Sequence, residues 1–554
     1  ISDVLGLAFK LFDPENLLGK GEELGITCAL VPTTTEGVVL GKRHDPLGVP
    51  FWNCPTEGYD VVVPLEEAVI GGVEGCGKGW RMLMQSLAAG RGISLPASAT
   101  AGVQQAARMA GAHALIRKQF GLSIGKFEGI EEPLARIGGW AYTMEAARRY
   151  TNGGLDQGAA PAVVTAMMKY NTTELFRKAV NDAMDILGGN AISRGPRNPI
   201  ASAYAGLPVS ITVEGANILT RTLMVFGQGA IRCHPYALKE MQALMDRDVK
   251  AFDAAFWPHI GHVVRNGFRA VGLSLSRGYL AGSPVSGPAA RYWRTMAWSS
   301  ATFAFLADLA MGTLGGDLKR KEKLTGRFAD VFSWMYLGTA TLKRFEAEGR
   351  RTEDEAFLHY AMQTAFTEIQ EAFDGLFANL QVPGATWLFR GPLAAWSRFN
   401  RLSARPSDKT GHAVARALQT PGEQRDRHFG AVFTTLDPEH ALGRFESAMR
   451  ICYEAEAVVA KVKSAIRSRQ LPKQHPATLI PQAVEQGIIT AGEADLLARA
   501  EAARNDAIQV DSFTTEEYFR TAAMPVASGD GAMGDGATVA SVALGATTEA
   551  EPTA

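Results

Sequence analysis

The chain has 554 residues, of which 46% are hydrophobic and 20% are charged, an ordinary composition for a globular protein. Its formal net charge of -1 excludes a bulk electrostatic attraction to nucleic acid or to anionic lipid. The length predicts roughly two to four domains, and the five scattered cysteines without a CxxC pair predict free thiols in a reducing compartment.

Residues 1 to about 65 contain short β-prone runs separated by Gly, Pro and Asp, which predict strands in GLAFKLF, GITCALVP, GVVLGKR and YDVVVP. From about Gly79 the pattern changes to Ala-, Leu- and Met-rich stretches with apolar residues at helical spacing. Further segments of this kind cover 128–153, 159–188 and 214–231. Because alanine lets facing helices approach closely, these segments predict a helical bundle.

A second helical region is predicted from residue 236 to about 520, after Pro235 interrupts the first. Its most apolar stretch, MAWSSATFAFLADLAMGTLGG, contains Asp308, which favours a buried helix over a membrane span. Residues 524–554 have few large apolar side chains to offset their chain entropy, so we expect disorder there. The chain begins at Ile1 without a methionine, and we expect that it is an N-terminally truncated fragment.

Several short patterns resemble ligand-binding motifs but lack the context that such motifs need. The GxGxxG at 529–534 has no strand before it and no helix after it, and GVEGCGKG at 72–79 lacks the hydroxyl of a Walker A loop. His259 and His262 could face one way, but no third ligand is near them in the sequence, so we predict no metal site. The basic run 318–323 is either a solvated helix end or a patch that contacts an anionic membrane surface.

Three further patterns can carry chemistry, although each also has a purely structural explanation. In SITVEGANILTRTLMV, Glu214 is either a surface residue or a base whose pKa is raised by apolar surroundings. In RKQFG, Arg117 can bind phosphate oxygens and Phe120 can lie against an adenine ring, or both are ordinary surface residues. In DILGGNAI, Gly188 and Gly189 can cap a helix or let a ligand approach the backbone.

In this order and spacing the three patterns closely resemble those of the acyl-CoA dehydrogenases. The likeness is carried by ALIRKQFGLSIGKFEGIEEPLARIG, DAMDILGGNAI and ITVEGANILTR. The stretch VPFWNCPTEGYDVVVPLEEAVIGGVEGCGKGWRMLMQSLAAGRG is similar to that family's middle β domain running into its first C-terminal helix. Beyond residue 235 the chain looks like the extra helical region of the bacterial long-chain enzymes of fatty-acid degradation.

The resemblance implies a mainly α fold with a partial β domain. It places a remnant of the middle β-barrel domain at 1–70, the C-terminal four-helix bundle at 71–235, an additional helical domain at 236–523 and a disordered tail at 524–554. It also implies an FAD-dependent dehydrogenase that oxidises medium- or long-chain acyl-CoA to trans-2-enoyl-CoA in fatty-acid β-oxidation. Electrons would then pass to an electron-transferring flavoprotein.

By the same resemblance, Glu214 matches the family's catalytic base, which removes the α proton of the thioester. Gly215 would let the substrate pass close to the backbone, and Arg91 would help to shape the site. Some members of the family carry the base on the first C-terminal helix, immediately before this arginine. That position is Gly90 here, so Glu214 is the remaining candidate.

The resemblance also implies where FAD binds. Arg117, Gln119 and Phe120 match the contact with its pyrophosphate and adenine, which this family makes across a subunit interface, so the active unit is expected to be at least a dimer. The loop that receives the other end of that FAD is matched by Asp185, Gly188 and Gly189. The family usually has Gln at the position of Asp185 and Thr at the position of Ala216.

Two alternatives to the dehydrogenase stay open at this point. An acyl-CoA oxidase would use the same chemistry and reoxidise its flavin with O₂. A non-catalytic helical scaffold with a degenerate flavin site would account for Asp185 and Ala216. In each case we expect a cytoplasmic protein that does not bind nucleic acid, with possible contact to the inner face of the membrane.

Overall fold

The computed structural model describes residues 2–49, 53–474 and 476–522 and is mostly helical. The chain divides into two compact units, residues 1–510 and residues 511–554. In the second unit the described part contains one helix, Thr515–Ala522. The predicted disordered tail at 524–554 lies outside the described residues.

Strands are confined to three two-stranded antiparallel sheets in the described residues. The pairs are β1 (Val4–Phe12) with β2 (Glu23–Pro32), β3 (Val38–Leu40) with β4 (Thr56–Gly58), and β5 (Lys118–Gln119) with β6 (Leu122–Ser123). The strand predicted from YDVVVP is wrong. The N–H of Tyr59 still donates to the carbonyl of Gly37, next to the β3–β4 pair. Asp60 then has a φ of 48°, which takes the chain out of the extended conformation.

The first helical region covers the residues from Leu65 to Cys233. Its helices are α1 (Leu65–Ala68), α2 (Gly72–Gly75), α3 (Gly79–Ala89), α4 (Leu95–Ile116), α5 (Glu128–Asp156), α6 (Ala162–Leu187), α7 (Gly189–Ile192), α8 (Ala201–Thr212), α9 (Asn217–Leu219) and α10 (Gly229–Cys233). Two π-helical segments, Gly90–Ser94 and Thr220–Gln228, interrupt it, and Ile124–Lys126 form a 3₁₀ turn. The helix predicted over 214–231 therefore begins at Asn217 and is π-helical for most of its length.

The second helical region follows from Ala237. Its helices are α11 (Ala237–Met245), α12 (Val249–Leu275), α13 (Ala290–Leu314), α14 (Glu322–Ala347), α15 (Glu355–Asn379), α16 (Thr386–Leu388), α17 (Ala394–Phe399), α18 (Asp408–Gln419), α19 (Glu423–Phe429), α20 (Ala441–Arg467), α21 (Pro476–Glu485) and α22 (Ala491–Ala507). Short 3₁₀ turns occupy Gly315–Arg320 and Thr352–Asp354, and a π-helical segment occupies Phe389–Leu393.

The predicted alanine-rich bundle is found in α4, α5 and α6. Ala107, Ala110 and Ala141 are completely buried within one large core that also takes in side chains from the second helical region. At Gly138 a Cβ atom would lie 2.7 Å from the side chains of Leu418 and Val414. Glycine at this position therefore lets α5 lie directly against α18.

A buried ion-pair network joins the two helical regions. Arg108 of α4 and Arg425 of α19 both donate to the carboxylate of Glu446 on α20, with N···O distances of 2.8 to 3.0 Å. All three residues are at most 4% exposed. Arg108 also donates to Asp426 at 3.0 Å, so two carboxylates pair the two guanidinium groups, and the network ties α4 to the C-terminal helices without leaving an isolated buried charge.

The apolar stretch that contains Asp308 forms the buried helix α13, as predicted, and Asp308 itself is buried. Among the described residues, no helix combines the length and the apolar character that a bilayer span requires. In the basic run, Leu318 is buried while Lys319, Arg320 and Lys321 are exposed on the turn between α13 and α14.

Candidate active site

Glu214 lies in the four-residue loop 213–216 between α8 and α9. Its φ is 56° and that of Gly215 is 99°, so both residues are in the left-handed region, which a glutamate rarely adopts. Such strain is found where surrounding structure holds a residue for a function. The Glu214 side chain is half-buried, and its Oε2 is buried without a hydrogen-bond partner in the described part of the chain. An unpartnered buried carboxylate oxygen is available to accept a proton.

Arg91 holds this loop from the π-helical segment Gly90–Ser94. Its Nε donates to the backbone carbonyl of Glu214 at 2.6 Å, and the residue is only 5% exposed. The bond leaves the Glu214 carboxylate free while it fixes the backbone behind it. The second π-helical segment, Thr220–Gln228, starts soon after the loop. The loop is thus hydrogen-bonded to one π-helical segment and followed by another, and such segments recur at functional sites.

Gly90 makes the space in which the carboxylate lies. A Cβ atom at position 90 would lie 2.1 Å from Oε1 and 2.7 Å from Oε2 of Glu214. No such approach is possible between real atoms, so residue 90 cannot carry a side chain while Glu214 keeps this position. The sequence showed only that position 90 has no carboxylate. The structure adds that its place is taken by the carboxylate of Glu214.

Lys169 of α6 is a site residue that the sequence analysis missed. Its ammonium group is completely buried and donates to the carbonyl of Gly215 at 2.8 Å and to Oδ1 of Asn217 at 2.7 Å. Asn217 in turn donates to Glu174 and Thr173. A lysine inside the apolar run VVTAMMKY was the available signal, because a buried lysine needs acceptors from another element.

The electrostatics of this cluster suit proton transfer. Burial raises the pKa of Glu214 above its ordinary value, while the positive charges of Arg91 and Lys169 oppose that rise. The pKa of Lys169 is lowered to about 8, mainly by burial; Glu214 opposes this lowering, and nearby Arg91 adds to it. A carboxylate with a raised pKa is a stronger base than an ordinary surface glutamate.

The residues expected at the adenosine side of FAD lie at the other end of the bundle. Arg117 caps the C-terminal end of α4 and leads into the β5–β6 hairpin, where Gln119 is exposed and Phe120, at the tip, is 94% exposed. Gly188 caps the C-terminal end of α6 with a φ of 54°, and Asp185 on the last turn is exposed. A Cβ atom at Gly188 or Gly189 would meet no described atom within 4 Å, so a ligand can approach the backbone there.

The adenosine-side residues and the Glu214 site are not brought together within one chain. Gly188 is 19 residues beyond Lys169 along α6, or about 28 Å at the rise of an α-helix. The C-terminal end of α4 and the turn after α6 both contact α22. Arg504 donates to the carbonyl of Ile116, and Asn190 donates to the carbonyl of Ala507. Each chain therefore presents a carboxylate site at one end of the bundle and an open, glycine-lined surface at the other.

Comparisons with known proteins place the chain in a family. A profile described as acyl-CoA dehydrogenase, C-terminal, bacterial type, matches residues 231–513, and one for the acyl-CoA dehydrogenase C-terminal domain matches residues 77–225. The chain belongs to the acyl-CoA dehydrogenase family. The two matches fall on either side of Pro235, where the sequence predicts the boundary between the two helical regions; that domain boundary itself stays a prediction.

Three relatives match different lengths of the chain. Probable acyl-CoA dehydrogenase FadE10 of Mycobacterium tuberculosis is 24% identical over 380 residues, 65% of this chain and 56% of that protein. The mitochondrial short/branched chain specific acyl-CoA dehydrogenase of Bos taurus is 28% identical over 204 residues, 36% of this chain and 45% of that protein. Protein HemX of Proteus mirabilis is 53% identical over 105 residues, 19% of this chain and 61% of that protein. The chain thus matches about half of the length of these relatives.

Solved structures confirm the fold. An acyl-CoA dehydrogenase from Bacillus anthracis complexed with FAD has a TM-score of 0.57 at 18% identity, covering 76% of this chain and 68% of that one. Acyl-CoA oxidase-1 of Caenorhabditis elegans complexed with FAD and ATP has a TM-score of 0.51 at 12% identity, covering 83% and 67%. At these identities the likeness concerns the fold alone, and it is common to a dehydrogenase and an oxidase.

Proposed function

We propose that this chain carries the catalytic base of an FAD-dependent acyl-CoA dehydrogenase that oxidises medium- or long-chain acyl-CoA to trans-2-enoyl-CoA in fatty-acid β-oxidation. The observation that carries the proposal is Glu214: a carboxylate of raised pKa with one unpartnered oxygen, held in a strained loop by Arg91 and Lys169. Because the chain matches about half of its relatives' length, the activity of the whole protein is proposed from this site and from the family.

In this proposal the Glu214 carboxylate removes the α proton of the acyl thioester. Burial strengthens the base, and Gly215 has no side chain to block the substrate. Lys169 and Arg91 keep the loop in place by holding its carbonyl groups, so the base does not have to be positioned during the reaction. FAD, when bound, supplies the acceptor for the hydride that leaves the β carbon.

Residues of this chain fit the adenosine and pyrophosphate part of FAD. Arg117 supplies a guanidinium group for phosphate oxygens, Phe120 supplies an exposed ring, and Gly188 and Gly189 supply open backbone. Gln119 is exposed on the same hairpin, and Asp185 places an exposed carboxylate on the last turn before the glycine pair. Since it would repel a pyrophosphate, we propose that Asp185 faces the ribose or solvent.

The separation of the two groups supports a homodimer or a larger homo-oligomer. We propose that the Arg117 and Gly188 end of one protomer completes the flavin site next to Glu214 of its partner. Within one chain these residues are at opposite ends of the bundle, whereas a second copy can bring them together. Electrons from the reduced site would pass to an electron-transferring flavoprotein.

One surface of the second helical region supports contact with the inner face of the membrane. An apolar cleft of about 730 Å³ lies between α12, α13, α15 and α17. Exposed apolar side chains beside it include Trp257, Val264, Phe268, Val271, Leu275, Trp387 and Phe399. The two segments that contribute them, 254–294 and 375–407, contain nine arginines and no Asp or Glu. Apolar residues among arginines are typical of peripheral contact with anionic lipid.

Product analysis tests the proposed reaction. The full-length protein, supplied with FAD and an artificial electron acceptor, should convert octanoyl-CoA or palmitoyl-CoA into a product that has lost two hydrogens. Mass spectrometry and the absorbance of the conjugated enoyl thioester detect it. Peroxide formed in equal amount without the acceptor would instead establish an oxidase. The absence of any such product, with FAD bound, would support the non-catalytic scaffold and contradict the proposal.

A further inference from the structure

A cluster of imidazoles and carboxylates lies where α10, α11, α12 and α13 meet, away from Glu214. His234 follows α10, Glu240 is on α11, His259 and His262 are on α12, and Asp308 is on α13. From the sequence, the two histidines of α12 have no third ligand nearby. The fold supplies His234, which is 25 residues before His259, and Asp308, which is 49 residues after it. No local motif could reveal ligands at such separations.

The ligand atoms have the spacing of a metal site. His234 Nε2 is 2.8 Å from Asp308 Oδ1, and His259 Nε2 is 3.5 Å from the same oxygen. One donor atom from each of these three residues lies within 4.8 Å of the other two. Ligands bound to one tetrahedral zinc ion at its usual bond lengths are about 3.3 Å apart. Small side-chain adjustments would therefore close the site around an ion.

The ion pairs of Asp308 among the described residues are all with the three histidines of the cluster. The Asp308 side chain is 2% exposed, and neither of its oxygens has a hydrogen-bond donor of acceptable geometry among the described residues. His234 Nε2 likewise has no hydrogen-bond partner of acceptable geometry among the described residues, although it lies 2.8 Å from Asp308 Oδ1. A buried carboxylate without donors is costly unless a cation neutralises it. His234 Nε2, His259 Nε2 and the Asp308 carboxylate face one another without that cation, whereas His262 Nε2 is hydrogen-bonded to the side-chain amide of Asn266.

A further carboxylate orients one ligand. Glu240 Oε1 is 2.8 Å from His259 Nδ1, which places the ring proton on Nδ1 and leaves the Nε2 lone pair directed toward Asp308. Carboxylates bonded to the second nitrogen of a ligating histidine are typical of zinc sites. His262 Nε2 is 3.9 Å from Asp308 Oδ2 and lies at the edge of the cluster.

We propose that His234, His259 and Asp308 bind one divalent zinc-class ion, with Glu240 as the residue that orients His259. Nitrogen and carboxylate ligands in a three-residue set suit zinc, with a fourth position left for water or for His262. The ion would fasten the end of α10 to α12 and α13. Because α10 continues the helix that begins just after Glu214, the site would stabilise the junction of the two helical regions and take no part in the reaction.

Binding requires one proton to change place. In the metal-free chain His234 Nδ1 accepts the backbone N–H groups of Tyr236 and Ala237, so Nε2 carries the ring proton. When an ion binds at Nε2, the ring proton leaves Nε2 and is carried on Nδ1. The Nε2 lone pair is then available to the ion. The N–H groups of Tyr236 and Ala237 lose their acceptor, so the first turn of α11 should become less protected in the zinc form.

Zinc titration of the chelator-treated full chain tests the site. Calorimetry and elemental analysis should show one tightly bound zinc per chain, and cobalt substitution should give the intense visible bands of a four-coordinate site. Asp308→Asn and His259→Gln should each weaken binding by about 100-fold or more, and Glu240→Gln by about 10- to 100-fold. His412→Gln, an exposed histidine paired with Glu131, should bind zinc as the wild type does.

Cys233→Ser separates the proposed site from binding by the exposed thiol next to His234. It should keep full affinity; loss of binding in this variant, or equal binding in Asp308→Asn, would overturn the proposal. Hydrogen exchange at Ala237 is measured on the wild type and does not depend on any variant folding. It should become faster as zinc saturates the chain, and an unchanged rate or the absence of saturable binding would overturn the ligand set.

Discussion

The carboxylate of Glu214 occupies the volume that a side chain on Gly90 would need, since a Cβ atom there would lie 2.1 Å from Oε1. Gly90 itself has ordinary right-handed helical φ and ψ angles. An alanine would therefore fit the backbone at position 90 and collide only with the base. A substitution at Gly90 can therefore displace the Glu214 carboxylate while its chemical identity stays the same.

Gly90→Ala should lower kcat by about 100-fold, because a displacement of a catalytic group by about 1 Å has an effect of that size. Initial rates with octanoyl-CoA measure it. Gly153→Ala is the matched control, since Gly153 lies in α5 and a Cβ atom there would meet nothing within 4 Å. Gly153→Ala should unfold at or slightly above the wild-type temperature, and Gly90→Ala should remain folded, because the far end of the Glu214 side chain can move aside. Wild-type kcat in Gly90→Ala would show that the carboxylate does not act from this position.

Lys169→Gln should move the acidic limb of the pH profile of kcat/KM to higher pH. The positive charge of Lys169 lowers the pKa of Glu214, so removing it lets burial raise that pKa further. Lys178→Gln, an exposed lysine on the same helix, is the control and should leave the limb unchanged. Identical profiles for wild type and Lys169→Gln would show that the two groups are not coupled in the working enzyme.

The same lysine predicts a dependence of stability on pH. Its pKa in the folded protein is about 8, below the ordinary 10.5. Between these values the unfolded chain binds more protons than the folded chain, so the free energy of unfolding should rise with pH across this window. Urea unfolding of the wild type from pH 7.5 to 10 measures the rise. Lys169→Gln should show a smaller rise, and an equal rise would assign it to other groups.

Glu446→Gln should lower the free energy of unfolding by about 3–5 kcal/mol, because Arg425 would be left buried without its carboxylate and Arg108 would keep only the exposed Asp426. Burial raises the pKa of Glu446, but hydrogen bonds from the two guanidinium groups outweigh it, and the pKa lies below its ordinary value. Asp495→Asn, which breaks the exposed pair with Arg499, should change stability by less than about 0.5 kcal/mol. A small effect at Glu446 would mean that the network contributes little to holding α4 and α20 together.

Phe120→Ala should weaken FAD binding while it leaves the unfolding temperature unchanged. The ring is 94% exposed and contacts Phe127 edge to face, so little of its surface is buried within the chain. Phe433→Ala removes another exposed ring and should not affect FAD. Flavin fluorescence titration of the full-length protein measures both. Equal affinity in both variants would exclude this hairpin from the proposed flavin site.

The sequence predicted the candidate base because it is part of a local motif, and it predicted most helices because their apolar residues repeat at helical spacing. It did not predict the left-handed backbone of Glu214 and Gly215, so the helix was started three residues too early. Such a conformation is imposed by contacts from elsewhere in the fold, here from Arg91 and Lys169.

Long-range groups were beyond the reach of the sequence for the same reason. Lys169 is 45 residues before Glu214 and 48 before Asn217, and nothing in the spacing connects them. Asp308 was visible as an unusual charge in an apolar helix, which correctly predicted burial, but its neighbours His234 and His259 come from other elements. Only the packing of the helices brings these side chains together.

Reduction of bound flavin by acyl-CoA without oxygen tests the role of Glu214 most directly. The full-length protein and its Glu214→Gln variant, each loaded with FAD, are mixed with octanoyl-CoA, and the loss of flavin absorbance is followed. Glutamine keeps the size of the side chain but cannot remove the α proton. We predict rapid bleaching in the wild type and a rate at least about 1,000-fold lower in the variant, which should still bind FAD and acyl-CoA. Bleaching at the wild-type rate in Glu214→Gln would contradict the assignment of the base.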